Sequence, residues 1–501
     1  MLFSKQISAF AACRALNETL SGQIKWPGTS DYVSSTTAIW STSCHLAPEC
    51  VFEPRKVEDL SRGIVLIREN GARFSVRGGG HMPSPGAQSV DHGIMISMSN
   101  FKDRLLSDDR AVASIGAGQL WKDVYDWLGG HGLAVNGGRY PTVGVGGVLL
   151  GGGIGYFAGS RGWSVDDIVG WQIVLSNGTT LEVTSAPGSR YEDLSWALKG
   201  GHNNFGVVTR FDMLTFPLDA AYGGLTVYHP EAADNFNKAL IDYMAPGGGS
   251  EDPKSAINAV YTTRLSDGGS WQKSMFNIHV YAGGDPSPRS IENFTKISAE
   301  HVAMNTAQVH ANWAAIPAGL SQFGQQGLRH LFWAITLKAG HESVSIAKQA
   351  FLEANLNQLT SVQEISLVLS IQPLTKVWLQ VSKQKGGNLM GLDPEVDGGH
   401  FAIMLIPSWK DPRDDDRVMA FTRGAAAEIE TLTRKLGLFN PFVYLNDASW
   451  TQKPFESYGG GNNLPKLRDI QLKYDPGGFV RDYMQHGFEL GLTERNHGDE
   501  L

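Results

Sequence analysis

The segment GGRYPTVGVGGVLLGGGIG, residues 137–155, has nine glycines in nineteen positions, interleaved with Val, Leu and Ile. A flexible linker would be rich in serine and charged residues, whereas glycine mixed with apolar anchors is typical of ordered backbone. The segment lacks the GxGxxG fingerprint of Rossmann folds and the Gly-Lys-Ser/Thr of a P-loop. It therefore predicts bare backbone that lies against something flat or charged.

A second glycine turn occurs in VRGGGHMPSPG, residues 76–86, after a strand-like stretch. Three glycines remove the Cβ barrier, and successive N–H groups in such a turn form an anion-binding nest suited to a diphosphate. Taken alone, the turn is more often an ordinary connection between strands. His81 follows the nest directly, and a ligand, a base, a covalent tether and a plain surface histidine are the alternatives for it.

The composition excludes several classes of protein. A chain of 501 residues exceeds what one hydrophobic core usually supports, so two domains, or one with a large insertion, are expected. The 42 basic and 50 acidic residues leave a formal charge of −8 without a basic stripe, which disfavours nucleic-acid binding. No run approaches the roughly 20 apolar residues of a membrane helix. The cysteine spacing fits no metal site, so neither a membrane span nor a metal is expected.

The pattern of elements changes along the chain. Residues 1–217 are predicted as mixed helices and strands without a regular βαβ repeat, including an Asn177-Gly178 hairpin. From residue 218 the strand-like runs MFNIHVYAG, HLFWAITLKAG, VWLQVSKQ and FAIMLIPSW appear, with helical stretches between them. They predict an antiparallel sheet covered by helices. A helix over Asp416–Gly437 follows, and YLNDASW and YGGGNN come near the end.

Four segments resemble, in the same order, the berberine bridge enzyme-like family of FAD-linked oxidases. These are VRGGGH, GGRYPTVGVGGVLLGGGIG, DLSWALKGGHNNFGVVTRF and YLNDASW…YGGGNN…KLRDIQLKYDP. The resemblance spans about Ser30 to Val480 and is closer to the fungal branch, whose members often serve specialised-metabolite pathways. It implies an α+β fold of the vanillyl-alcohol oxidase superfamily. A PCMH-type FAD domain in two parts, 1–217 and 411–501, would enclose a substrate domain over 218–410, with the active site at their junction.

The resemblance also implies how the cofactor is held. FAD would be attached by one covalent bond from the His81 ring to its 8α-methyl group, which raises the flavin potential. Relatives with two covalent bonds have a cysteine where this chain has Tyr140, so a single bond is expected. Val143 matches the position that controls oxygen access. The residues expected to hold FAD are Arg77, Gly78, Gly79, Gly80, His81, Met82, Tyr140, Thr142, Val143, Gly146, Gly147, Gly151, Gly153, Asn204, Phe205, Gly206, Val208, Asn446 and Asn463 (or Asn462).

Hydride transfer to a flavin commonly needs a base for the accompanying proton. Plant members of the family place a carboxylate on a substrate-domain strand, but the corresponding strand here, 401–409, has no acid. Tyr444 and Asp447 in YLNDAS are the candidates instead, and a buried Asp447 would have a raised pKa because of desolvation. Capping of a turn is the alternative for Asp447. His202 and His400 are expected to be structural.

The expected reaction is oxidation of a small organic substrate, an aromatic or terpenoid-type natural product, with dioxygen reoxidising the flavin to give hydrogen peroxide. The alternatives are a non-oxidative isomerase or cyclase and a flavin-binding protein without catalysis. Cys13, Cys44 and Cys50 allow either a Cys13–Cys50 disulfide or reduced thiols. The leader is weakly apolar and the C-terminal GDEL resembles a retrieval signal, so localisation stays open between the secretory pathway and the cytoplasm.

Overall fold

The computed structural model describes residues 2–320, 326–485 and 487–491, with side chains from residue 8 onward. The C-terminal GDEL, residues 498–501, lies outside these residues. In the described ranges the strands form one ten-stranded sheet, two five-stranded sheets and a two-stranded ribbon. None of the helices in these ranges is both long enough and apolar enough to cross a membrane.

Helices and strands occur throughout the chain. The helices are α1 (Leu2–Thr19), α2 (Ser30–Thr37), α3 (Val57–Glu69), α4 (Trp121–Gly129), α5 (Val145–Leu150), α6 (Ala158–Arg161), α7 (Glu192–Leu198), α8 (Ala233–Met244), α9 (Glu292–Thr295), α10 (Ala315–Ala318), α11 (His341–Lys348), α12 (Lys376–Gln384), α13 (Asp415–Lys435), α14 (Pro454–Ser457), α15 (Asn463–Tyr474) and α16 (Phe479–Tyr483). The strands are β1 (Ile24–Lys25), β2 (Cys50–Phe52), β3 (Phe74–Arg77), β4 (Ile94–Ser97), β5 (Arg104–Leu106), β6 (Val112–Gly116), β7 (Leu133–Ala134), β8 (Ile168–Val174), β9 (Thr180–Thr184), β10 (Val207–Leu214), β11 (Phe216–Pro217), β12 (Ala221–Tyr228), β13 (Ser255–Leu265), β14 (Trp271–Tyr281), β15 (Val302–Asn305), β16 (Gln308–His310), β17 (Arg329–His330), β18 (Trp333–Lys338), β19 (Ser366–Leu374), β20 (His400–Trp409), β21 (Phe439–Asn440) and β22 (Met484–Gln485).

The first five-stranded sheet carries the N-terminal glycine turn. Its order is β1–β2–β4–β3–β22, and all neighbours except β1 and β2 are parallel. Helix α3 connects β2 to β3 and buries Leu60, Ile64 and Ile67 on one face at helical spacing. Cys13 of α1 and Cys50 of β2 form a disulfide, which joins the first helix to this sheet.

The second five-stranded sheet is antiparallel, in the order β5–β6–β10–β8–β9. Strands β8 and β9 pair across the Asn177-Gly178 turn, so the predicted hairpin is confirmed. The glycine-rich segment 137–155 leads into this sheet and contains helix α5. The glycine turn 78–80 follows β3 of the first sheet, so the two glycine segments adjoin the two five-stranded sheets.

The ten-stranded sheet has the central order β12–β14–β13–β19–β20–β18, with antiparallel neighbours. One face is apolar and packs under helices α8, α11 and α13 in a separate hydrophobic core, which contains Ile257, Leu369 and Ile403. Alternate residues on the same strands face the other way, because side chains in a strand alternate between faces. The predicted α+β fold, with an antiparallel sheet covered by helices, is confirmed.

One predicted strand is wrong. The run VWLQVSKQ lies in helix α12, where Trp378, Leu379 and Ser382 share the buried face at helical spacing. Thr375 caps the helix, since its hydroxyl accepts a hydrogen bond of 3.1 Å from the Trp378 N–H. A short apolar run does not distinguish a strand from a buried helix. Thr375, directly before the run, is a typical N-cap residue and indicates the helix.

The division of the chain at residues 217 and 410 stays a prediction. Helix α13 contributes Val418, Phe421 and Ile429 to the core under the ten-stranded sheet. Strand β21 pairs with β18 of the same sheet. Residues 415–440 therefore pack with the ten-stranded sheet, and the chain returns to the glycine segments only after them.

Candidate active site

A cavity of about 550 Å³ lies between the glycine segments and the inner face of the ten-stranded sheet. A volume of this size is typical of a cofactor or small-molecule site. The predicted site residues on its wall are Gly78, Gly79, Gly80, His81, Met82, Tyr140, Thr142, Val143, Gly146, Gly147, Val208, Tyr444, Asn446 and Asp447. The two glycine segments thus face one common space.

The segments are in direct contact at Gly79 and Gly144. A Cβ built on Gly79 would lie 2.4 Å from the Cα of Gly144, a distance that real Cβ atoms do not reach. Gly80 has a φ of 73°, and its Cβ would lie 2.6 Å from the carbonyl oxygen of Ala38. These glycines are needed for close packing of backbone and for the left-handed turn itself.

Other glycines face open space. A Cβ on Gly147 would have no neighbour within 4 Å, and one on Gly78 would lie 3.7 Å from its nearest atom. Among the described residues, the N–H groups of Gly79 and Gly80 donate to no acceptor. Bare backbone beside open space, together with uncommitted N–H groups, is suited to a flat molecule that carries a diphosphate.

The ring of His81 belongs to a stack of three rings. It lies on the indole of Trp40 with 4.5 Å between centroids and 12° between planes. The opposite face of Trp40 stacks on His330 at 3.6 Å and 8°. The backbone N–H of Trp40 also donates to the Gly80 carbonyl at 2.9 Å, so Trp40 contacts both the glycine turn and the His81 ring. Burial lowers the pKa of His81 to about 4, which keeps the imidazole neutral at pH 7.

Asp447 lies on another part of the wall, where it is 7% exposed. Burial raises the pKa of its carboxyl to about 6, against the opposing effects of Arg139 and of a hydrogen bond from Gln372. Gln372 Nε2 donates to Asp447 Oδ2 at 2.6 Å, and Arg139 donates to Gln372 Oε1. The carboxylate thus bonds a side chain of the sheet, and no hydrogen bond to a backbone N–H of its own turn supports the capping alternative.

Tyr444 contacts the glycine-rich segment directly. Its phenol oxygen accepts hydrogen bonds from the Gly153 N–H at 3.0 Å and from Asn446 Nδ2 at 2.9 Å. Burial and the nearby Asp447 raise the pKa of Tyr444 well above its ordinary value. The phenol therefore stays protonated at physiological pH, and of the two candidates only Asp447 has the properties of a base.

Comparison with known proteins identifies the cofactor of this cavity. An FAD-binding domain family matches residues 48–184. The chain is 34% identical over 484 residues to the FAD-dependent monooxygenase prx3 of Penicillium roqueforti, covering 96% of this chain and 93% of that protein. It is 30% identical over 504 residues to the FAD-dependent monooxygenase tpcD of Cochliobolus heterostrophus, covering 96% and 94%. The chain belongs to the berberine bridge enzyme-like family.

The solved structures agree in fold with this flavoenzyme. Xylooligosaccharide oxidase from Myceliophthora thermophila C1 superposes with a TM-score of 0.75 at 19% identity, covering 96% of this chain and all of that one. The enzyme is an FAD-dependent oxidoreductase, and the residues present fit the cofactor. The open space at Gly147 suits the flat ring, and the turn at Gly79 and Gly80 suits the diphosphate. Within the described ranges, no group of three or more acidic, His or Cys side chains is arranged to hold a metal ion.

Seven residues expected to hold FAD lie behind the wall of the flavoenzyme's cavity. They are Arg77, Gly151, Gly153, Asn204, Phe205, Gly206 and Asn463. Arg77 supports the glycine turn from behind, since its guanidinium donates to Ser97 Oγ at 2.7 Å and to the Ala38 carbonyl at 3.2 Å. Asn204 Nδ2 bonds the carbonyls of Gly201 and Phe488. Arg77 Nε and Asn204 Oδ1 are buried without a hydrogen-bond partner among the described residues, so their role in holding FAD stays a prediction.

The family motifs did not reveal several wall residues. Trp40, Arg139, His202 and His330 line the cavity, although His202 was expected to be structural and the others were not predicted. Arg139 lies inside the quoted glycine-rich segment, where a lone cation among glycines was a usable signal. Trp40 and His330 are distant in sequence and stand in no motif, so only the fold brings them together.

The inner face of the ten-stranded sheet forms the floor of the cavity. The floor residues alternate along three adjacent strands: Asn258, Val260, Thr262 and Arg264 on β13, Ser366, Val368 and Ser370 on β19, and Met404, Ile406 and Ser408 on β20. None of these residues is acidic. The acidic residue on the described wall, Asp447, therefore belongs to a turn and not to the floor.

Proposed function

We propose that this enzyme is an oxidase of fungal specialised metabolism that takes a hydride and a proton from a small organic substrate. FAD, when bound, accepts the hydride at N5 and passes two electrons to dioxygen, which gives hydrogen peroxide. The substrate loses two electrons and two protons, and dioxygen gains both. The observation that carries the proposal is one cavity in which bare glycine backbone and the acid Asp447 face the same space.

Asp447 would accept the proton from a substrate O–H or N–H group. A base works best when its pKa lies near the operating pH, and a pKa of about 6 leaves Asp447 ionised at pH 7. Gln372 orients the carboxylate through its 2.6 Å hydrogen bond, and Arg139 holds Gln372 from the other side. The neutral phenol of Tyr444 keeps a proton with which it can bond a substrate oxygen.

We further propose that His81 is the single covalent attachment point of the flavin. A neutral imidazole has a free lone pair on one nitrogen, which attack on the 8α carbon requires. Such an N–C bond would replace one N–H and one C–H, and the two electrons and two protons released would pass to dioxygen. Tyr140 lies on the wall where relatives with two bonds have cysteine, and none of Cys13, Cys44 and Cys50 lines the cavity.

Acid precipitation tests the attachment. The pellet of the native protein should stay yellow, whereas the pellet of His81→Ala should be colourless while its supernatant keeps any loosely bound flavin. A colourless native pellet beside a yellow supernatant would contradict the covalent bond and leave FAD binding intact.

The named relatives are monooxygenases, so oxygen insertion is the second candidate function. The two reactions differ in where the oxygen goes. Screening aromatic and terpenoid alcohols under air should give one peroxide for each dioxygen consumed if the enzyme is an oxidase. A product that gains one oxygen atom, without matching peroxide, would establish the monooxygenase, and substrate rearrangement without oxygen uptake would establish an isomerase or cyclase.

A further inference from the structure

The floor of the cavity has a polar row at one end. Arg264 pairs in register with Ser366 on the next strand, and Ser366 pairs with Ser408 on the strand after that. All three line the cavity. Arg264 is exposed, whereas Ser366 and Ser408 are 7% and 4% exposed. This row therefore lies where the cavity opens to solvent.

An apolar surface separates this row from Asp447. Val260 pairs with Phe276, and Val368 pairs with Ile406, all on the cavity face. The hydroxyls of Thr262 and Ser274 in the same area bond each other at 2.7 Å and so have a partner within the protein. The middle of the floor thus offers contact area for an apolar body.

The charges are also separated. Asp447 is the acidic residue on the described wall, and it contacts Gln372 of β19. Gln372 is six residues from Ser366, which corresponds to about 20 Å along a strand. The Arg139 side chain donates to Gln372, whereas the guanidinium of Arg264 has no hydrogen bond or ion pair with any described residue. One end of the cavity therefore holds the paired charges of Asp447 and Arg139, and the other end has a guanidinium without a partner among the described residues.

We propose that Arg264 binds an anionic group, such as a carboxylate, at one end of an elongated and mostly apolar substrate. A guanidinium presents paired donors that match a carboxylate, and the buried hydroxyl of Ser366 lies beside it. At the other end, Arg139 is already bonded to Gln372 and its charge is balanced by Asp447, so the anionic group binds at Arg264 and the reacting carbon lies toward Asp447. The assignment of the reacting end rests on the proposed function, and the anion site does not.

A matched pair of probes tests the anion site. Biphenyl-4-carboxylate and biphenyl-4-carboxamide have nearly the same size and differ in charge, and calorimetric titration gives their affinities whether or not flavin is present. The native protein should bind the carboxylate about tenfold more tightly than the amide. In Arg264→Gln that preference should disappear through weaker carboxylate binding, with amide binding unchanged. The preference should also weaken at high salt.

Arg423→Gln is the matched control. Arg423 is an exposed residue of α13, the helix that packs on the opposite face of the ten-stranded sheet, so this variant loses the same charge away from the cavity. It should bind both probes as the native protein does. Equal affinity for the two probes, no binding of either, or an undiminished preference in Arg264→Gln would each overturn the anion site. Flavin content measured on the same samples tests the proposed function separately, because a flavin-free chain that still prefers the carboxylate would refute only the oxidase.

Discussion

Substitution of Gly147 is expected to affect flavin binding without reducing the stability of the fold. It lies in helix α5, where a Cβ would meet no atom of the protein within 4 Å. Alanine should therefore fit without strain, and glycine-to-alanine exchange inside a helix stabilises a protein by about 0.5–1 kcal/mol. The same methyl would extend about 1.5 Å into the space that we assign to the flavin. We expect Gly147→Ala to fold at least as well as the native chain and to lose most of its flavin.

Gly144→Ala provides the opposite case. Its Cβ would lie 2.4 Å from the backbone nitrogen of Gly79, about 1 Å inside ordinary contact. Backbone on both sides cannot move aside as a flexible side chain can, so we expect a loss of about 1–3 kcal/mol. Flavin per chain is measured from absorbance, and thermal unfolding is compared on flavin-free fractions of both variants. Full flavin content in Gly147→Ala would refute the assignment of the open space, and native stability in Gly144→Ala would refute the close contact.

Three further predictions concern the acid, the ring stack and the disulfide. Because a base must be ionised, activity should fall as the pH drops below about 6, and Asp447→Asn should lose most activity together with this dependence. Arg139→Gln should shift this fall in activity to higher pH, since Arg139 lowers the pKa of Asp447. An unchanged pH dependence in Arg139→Gln would exclude Asp447 as the group that causes the fall. Trp40→Ala should lower the acid-stable flavin fraction, and Trp40→Phe, which keeps a ring on His81, should restore part of it; equal fractions in both variants would show that the stack does not position His81. In the double variant of Cys13→Ser and Cys50→Ser, the free energy of unfolding in urea should be lower by about 2–4 kcal/mol. The reduced native protein should have the same free energy of unfolding as this variant.

The glycine positions were predictable because the need for glycine is local. Gly79 and Gly80 are required by a close approach and by a positive φ, and the motif carries both requirements in consecutive residues. The stack of Trp40 and His330 could not be inferred, since it joins two residues that only the fold brings together. Gln372 was missed for the same reason, because its contact with Asp447 depends on the register of β19. Helix α12 shows that an apolar run of eight residues can form either a strand or a buried helix, and that a capping residue before it favours the helix.

Asp447, the base that we propose, lies on a different part of the cavity wall from the floor residues that would contact the substrate. Asp447 belongs to the turn of Tyr444, whose phenol accepts a hydrogen bond from Gly153 in the glycine-rich segment. The base that we propose is thus attached to the wall that we assign to the flavin, and its distance from the flavin would not depend on which side chains project from the floor. On a strand such as β20, an acid would occupy area that contacts the substrate. With Met404 and Ile406 there instead, the floor can change to accept new substrates while the geometry of proton transfer stays constant.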